Sequence, residues 1–222
     1  FTLVGTLGLG FLATLAARQL VKNEIAEKDI GKFFAAWLLV SGGLFGLVMT
    51  ADAFNLFVFL EISALASVIL IGMGAGTDRR ALIAGYHYLV IGAVGATFYV
   101  IGVGFIYAMT GSLNMVDIAN RITDAGGSAA IYVGFGFMVA GILVKAAIFP
   151  VHIWLPAALM PIHRWLPAAM VAPTPVSALL HAVAVVKAGV FTILTVIVYV
   201  FGIDFLAETG ASQWLIWLTA FT

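Results

Sequence analysis

Apolar runs of about twenty residues recur along this chain, and an α-helix needs that length to cross a hydrocarbon core about 30 Å thick. Read at that length, the runs predict six helices over Phe1–Val21, Phe33–Thr50, Phe54–Gly74, Ala81–Thr110, Ala129–Phe149 and Pro175–Phe201. Gln213–Thr222 opens a seventh. A transmembrane β-barrel would instead alternate apolar and polar residues in segments of about ten. The expected fold is therefore all-α, a polytopic transmembrane helical bundle forming a single domain over residues 1–222. Composition agrees: 64% of the 222 residues are hydrophobic and 9% charged, against roughly half and a quarter in soluble domains. A net charge of zero gives no reason to expect nucleic acid as a partner. The absence of cysteine excludes disulfides, thiolate metal sites and cysteine nucleophiles. No glycine-rich nucleotide loop, haem motif or metal-ligand spacing is present, so no cofactor and no intrinsic catalytic centre are expected. The sequence opens on Phe1 without a signal-peptide pattern, and reads as part of a longer chain.

Orientation follows from the Lys/Arg bias of short connections. If every helix spans, the first, third and fifth connections share one side, and they carry Arg18, Lys22, Lys28, Lys32, Arg79, Arg80 and Arg164. The opposite side has Arg121 alone. The connections at 22–32 and 75–80 are thus expected in the cytoplasm, with the chain in the cell's inner (plasma) membrane. Glu24, Glu27 and Asp29 fall in the first of these connections and are expected to be solvated.

Ionisable residues inside a membrane helix cost at least about 2.5–3.5 kcal/mol each on insertion scales, and they mark ion pathways more often than not. Glu61 lies within FNLFVFLEISALAS, flanked by apolar turns. Its bland alternative is a structural ion pair. Lys145 lies near the end of MVAGILVKAAIFP, where its stem could snorkel to an interface. All six prolines, Pro150, Pro156, Pro161, Pro167, Pro173 and Pro175, follow within a short stretch. Proline interrupts helices, and irregular backbone at membrane depth is tolerated only inside protein or beside a water-filled cavity. A broken helix or re-entrant segment is therefore expected over 150–175, next to Lys145. Lys187, in SALLHAVAVVKAGVF, is the cation least able to reach water. His181 precedes it by six residues, about 600° of helical turn, so the two do not share a face. His181 could carry a proton near neutral pH or merely donate an interhelical hydrogen bond. His87, between Tyr86 and Tyr88, reads as a weaker candidate in an aromatic interfacial belt. A carboxylate beside a lysine favours the charged amine, and its departure favours the neutral one, so such groups can pass protons along a dry bundle.

These residues also carry a family likeness. DAFNLFVFLEISALAS resembles the glutamate-bearing helix of the antiporter-like subunits of respiratory complex I and of Mrp-type sodium/proton antiporters. VKAAIFPVHIWLP and APTPVSALLHAVAVVKAGVF look like the family's lysine-bearing broken helix and the helix after it. TADAFNLFVF and TGSLNM lean toward the D-type member of Mrp antiporters or its complex I counterparts, whereas APTPVSALLHA is equally like the larger A-type members. The resemblance spans roughly residues 33–200 and implies a proton-relay repeat there. It implies Glu61 and Lys145 as a gating charge pair, with His181 and Lys187 continuing the relay. The family has about 14 helices in two inverted repeats, so this sequence resembles one half. A departure from the family pattern is a tandem repeat: VHIWLPAA at 151–158 recurs as IHRWLPAA at 162–169, which leaves open whether His152 or His163 faces the relay.

The leading expectation is a proton-translocating subunit with H+, and Na+ in the sodium/proton antiporter reading, as the moved ions. Its partners would be other membrane subunits and the lipid bilayer. A second is a proton-pumping subunit of an NADH:quinone oxidoreductase or related hydrogenase-type complex, with the redox chemistry on partners. A third is a non-transporting scaffold.

Overall fold

Chain reversals rich in glycine and in small polar residues cut the apolar runs into antiparallel helices. A computed structural model of the chain describes residues 2–76, 78–125, 128–145, 173–179, 189–208, 210 and 213. Within them α1 spans Thr2–Glu24, α2 Ile30–Met49, α3 Ala53–Met73 and α4 Arg80–Thr110. A shorter α5, Met115–Ala125, leads to α6, Ala129–Lys145. After the stretch 146–172, which lies outside the described residues, come α7 (Thr174–Leu179) and α8 (Gly189–Thr195). One π-helical stretch, Val196–Phe201, carries α8 into α9 (Gly202–Glu208). Among the described residues there is no strand, and three helical stretches are long and apolar enough to cross a membrane: Glu27–Met49, Ala53–Gly76 and Arg80–Thr110. Ala129–Lys145 is a shorter apolar helix. The chain is an all-α, multi-pass membrane protein.

Two helix starts and one helix end are fixed together. Asp52 has an extended backbone and its carboxylate accepts the Asn55 N–H at 2.7 Å, capping α3. Asn114 Oδ1 accepts the N–H groups of Val116 and Asp117 at 3.0 and 3.2 Å, capping α5. Gly111 ends α4 in the left-handed region at φ 66°, where a side chain would be strained, and its N–H reaches the Tyr107 carbonyl at 2.7 Å. Between the caps, Ala53 N–H donates to the Leu113 carbonyl and Met115 N–H to the Ala51 carbonyl, both at 2.8 Å. This two-bond β-bridge joins the TADAFN and TGSLNM segments. Tyr99 adds a phenol hydrogen bond to the Ala53 carbonyl at 3.1 Å. Arg121 Nη1 donates to the Thr110 carbonyl at 3.0 Å while its Nε pairs with Asp117. Arg121 thus closes α4 as well as sitting in the connection.

Helices α4 and α6 pack most closely of all. They meet at glycines spaced seven apart, Gly95 and Gly102 on α4 and Gly134 and Gly141 on α6. A methyl group at Gly141 would come within 2.5 Å of the Gly95 carbonyl oxygen and 2.6 Å of the Tyr99 nitrogen. Small residues let membrane helices bring their backbones together, where dispersion rather than hydrophobicity drives association. Two apolar clusters result. One gathers Leu56, Tyr99, Ile106, Ile118, Met138 and Phe201 toward the bridged end. The other gathers Val21, Phe33, Trp37, Leu70, Ala84 and Val176 toward the end that carries the 22–32 and 75–80 connections.

Two expectations need correction. Helix α5 occupies what the apolar runs leave as connection, because eleven amphipathic residues with Asp117 and Arg121 make no apolar run. Glu24 is not simply solvated: its carboxylate accepts the Thr174 N–H at 2.8 Å and the Thr174 hydroxyl at 2.6 Å, 150 residues away in sequence. Proline at 175 follows as the donor-free position a helix start tolerates. Asp29 pairs locally with Lys32 at 2.7 Å. The same holds for Asp78 beside Arg80. Such exposed pairs contribute little to stability.

Gly141→Ala should therefore lower the thermal midpoint of the purified protein, with overpacking costing about 1–3 kcal/mol. Gly136→Ala on the open side of α6, where nothing lies within 4 Å, should be neutral or stabilising. Equal melting of the two variants would show that close approach of α4 and α6 is dispensable. For the long-range cap, Glu24→Ala and Thr174→Ala should each cost about 0.5–2 kcal/mol. The double variant should cost clearly less than the sum, as measured in a thermal double-mutant cycle.

Candidate functional site

Among the described ionisable residues within the apolar helices, Glu61 and Lys145 meet. Glu61 stands two turns into α3, and Lys145 at the end of the described part of α6. The Lys145 ammonium lies 2.8 Å from Glu61 Oε1 and donates a hydrogen bond to it, with side-chain exposures of 12% and 27%. The pair falls between the two apolar clusters, since α3 contributes Leu56 to one and Ala66 and Leu70 to the other. Two constraints put the lysine there. The glycine contact draws α6 against α4, and the Lys145 stem then lies on Gly95, where an added methyl would stand 3.0 Å from Cγ. The cap at Asp52 and the bridge to the α4–α5 turn fix where α3 begins, and hence how deep Glu61 sits.

A cavity of about 50 Å³ opens beside the ammonium, lined by Leu60, Ser63, Ser67, Tyr88, Tyr99 and Thr192 among others. One water needs about 10–15 Å³ of such space, so a few waters fit. A smaller one of about 30 Å³ also touches Lys145 and is walled by Ala64, Tyr88 and Gly92. The hydroxyls are partly satisfied by their own helix: Ser63 donates to the Leu60 carbonyl at 3.0 Å and Ser67 to the Ser63 carbonyl at 2.7 Å. Tyr88 reaches Ser67 from α4. The arrangement can hold one proton on either of two adjacent groups, in contact with space for water.

Of the other sequence candidates, His87 is among the described residues and is not brought to this point. His87 is half-buried on α4, its ring 6.0 Å from that of the exposed Tyr86, and it lines neither cavity. Tyr88, grouped with His87 in an aromatic belt by the sequence, turns into the cavities instead. His152, His163, His181 and Lys187 lie outside the described residues, as does the segment expected to be broken, up to Ala172. Sequence reasoning missed Ser63, Ser67 and Thr192. The available signal was the four-residue spacing of Ser63 and Ser67, which puts both on one helix face two residues after Glu61.

Comparison with known proteins gives consistent relatives. The profile of the family described as NADH:quinone oxidoreductase/Mrp antiporter, transmembrane, matches residues 50–160 and 156–222, the two segments overlapping inside the tandem repeat. The N subunit of the NADH-quinone oxidoreductase of Desulforudis audaxviator is 40% identical over 173 residues, covering 78% of this chain and 32% of its own length. The D-type member of the Na(+)/H(+) antiporter of Bacillus subtilis is 33% identical over 202 residues, covering 90% and 38%. Among solved structures, a chain of the archaeal membrane-bound sulfane sulfur reductase superposes with a TM-score of 0.68 at 32% identity, over 82% of this chain and 34% of that one. A chain of the Mrp complex from Dietzia sp. gives 0.60 at 27% identity, over 75% and 29%. The chain spans about a third of the length of the curated relatives it matches.

Breaking the ion pair on one side should be costly. Glu61→Ala or Lys145→Ala should destabilise by a few kcal/mol, bounded by the roughly 3–5 kcal/mol of a fully buried pair. Replacing both by apolar residues, Glu61→Leu with Lys145→Met, should recover much of that loss. Strictly additive losses in thermal unfolding would mean that the two charges do not depend on one another.

Proposed function

This chain belongs to the NADH:quinone oxidoreductase/Mrp antiporter transmembrane family, and we propose that it is the proton-relaying part of a proton-translocating, cation/proton antiporter-type membrane subunit. The observation that carries this reading is the Glu61–Lys145 pair at 2.8 Å, between two apolar clusters and beside a water-sized cavity. With the carboxylate close, the amine holds its proton. With it withdrawn, desolvation favours the neutral amine and the proton leaves. The relay comprises Glu61, Lys145, His181 and Lys187, with His87, His152 and His163 as further members to test. Residues 33–200 form the relay repeat, and 150–175 the broken-helix segment that lets water reach the lysine side. Its partners are the other membrane subunits of a multisubunit assembly, and the moved ions are H+ with Na+ as counter-ion. In the cell's inner membrane, the 22–32 and 75–80 connections face the cytoplasm by the Lys/Arg rule.

A second reading is favoured by the 40% identity to a quinone oxidoreductase subunit and by the likeness to a respiratory sulfane sulfur reductase. Here the same relay serves a redox-driven complex, and the electron-transfer groups belong to other subunits. Flavin and iron–sulfur absorbance co-purifying with the chain would favour it; sodium-dependent proton exchange from a complex without such groups favours the first.

The test is proton movement in vesicles bearing the native complex, normalised to assembled protein. Lys145→Ala, Glu61→Ala and Lys187→Ala should each reduce transport about tenfold or more. A positioned proton-transfer group contributes about a hundredfold or more, so tenfold is a floor for this loss. Lys187→Arg should fail as well, because a guanidinium keeps its proton. Wild-type transport in the Arg variant would exclude Lys187. A scaffold would lose assembly with alanine and tolerate arginine.

A further inference from the structure

The cavities beside Lys145 have a hydroxyl wall that the ion pair leaves unused. Ser67 is buried on α3, and its own proton is directed to the Ser63 carbonyl at 2.7 Å. Tyr88 reaches it from α4. Tyr88 and Lys145 are the two polar residues that line both the 50 Å³ and the 30 Å³ cavity. The rest of the smaller cavity is walled by Ala64, Ile91, Gly92 and Val144, two of which are among the smallest residues available. The Lys145 stem leans on Gly95, two helical turns along α4 from Tyr88 and on the same face. A lysine with several rotatable bonds can move its ammonium within such a space without shifting a helix.

We propose that Tyr88, oriented by Ser67, is a second hydrogen-bonding station for the Lys145 ammonium, reached through water in the smaller cavity when Glu61 lets go. The inference rests on the proton-relay reading. No covalent step is involved: one N–H···O bond to Glu61 is exchanged for one to a water that the Tyr88 oxygen holds. Without the station, an ammonium leaving Glu61 would face apolar atoms, at the cost of an unpaired charge. It would stay paired, and turnover would slow. A neutral phenol stabilises the cation less than a carboxylate does, so this station is the one from which the lysine gives up its proton. Ser67 is a positioning residue here, and Tyr88 is the one that touches the ammonium's water.

The experiment uses the native complex in vesicles, with dye-reported proton transport normalised to assembled protein. Tyr88→Phe should slow transport about tenfold, the scale of one lost hydrogen bond to a charged group, with assembly unchanged. Ser67→Ala should slow it in the same direction, and Ser67→Thr, which keeps the hydroxyl, should restore it. A purely structural role predicts that the alanine variant is tolerated at least as well as the bulkier threonine. If Tyr88→Phe fails to assemble, the Ser67 pair still decides, since slow Ala with fast Thr supports the station and equal rates overturn it. Lys145→Ala separates the two levels. Transport that depends on Lys145 but not on Tyr88 overturns the station alone, whereas transport independent of Lys145 overturns the relay and the station together.

Discussion

An ammonium and a carboxylate 2.8 Å apart attract by about 6 kcal/mol at an effective dielectric constant of about 20. Taking each ion out of water costs several kcal/mol. The sum is close to balance, so the pair neither locks the bundle nor forms by accident. It exists because other forces bring α3 and α6 to the right place. Chief among these is the approach of α4 to α6 at Gly95 and Gly141, where no side chain intervenes and the lysine stem packs on bare backbone. A single methyl at that contact would move the helix that carries the cation.

Depth in the membrane is set separately, at the bridged end. The segments TADAFN and TGSLNM lie about sixty residues apart in the chain, yet the first caps α3 and the second ends α4 and caps α5. Their backbones pair by two hydrogen bonds, which satisfies amide groups that no helix could serve. Since Glu61 is counted from the α3 cap and Gly95 lies on the helix that ends at this bridge, the bridge ties the register of carboxylate and glycine together. The likeness of both segments to one family has a physical basis here: each is half of one joint.

Legibility in the sequence follows from cost. Glu61 and Lys145 stand out because a charge in an apolar run must be compensated, and the apolar runs themselves give α2, α3, α4 and α6 to within a few residues. Ser63 and Ser67 are silent because a serine hydroxyl inside a helix satisfies itself on a carbonyl one turn back. Tyr88 is misplaced by sequence because a tyrosine is equally at home at an interface or in a cavity, and only packing decides. Glu24 is misread because its partner, Thr174, is 150 residues away, and nothing local distinguishes a solvated carboxylate from a distant cap. The family match gives one more sequence feature a meaning: it divides within the tandem repeat, as expected where one copy exceeds the family pattern.

The proposed relay needs its resting pair to be breakable. Two states can exchange usefully only if they differ by a few kcal/mol at most. A pair sealed in hydrocarbon would fail that condition, because separating its charges would leave both unpaired. Glu61 keeps about a quarter of its side-chain exposure, and Lys145 lines a water-sized cavity that Ser63, Ser67, Tyr88, Tyr99 and Thr192 share with aliphatic side chains. Ala64 and Gly92 border the same space with little or no side chain, and the lysine stem rests on Gly95. The same absence of side chains thus serves two ends: at Gly95 and Gly141 it lets backbones touch and fixes the helices, and at Ala64 and Gly92 it borders the space beside the cation that the proposed exchange needs.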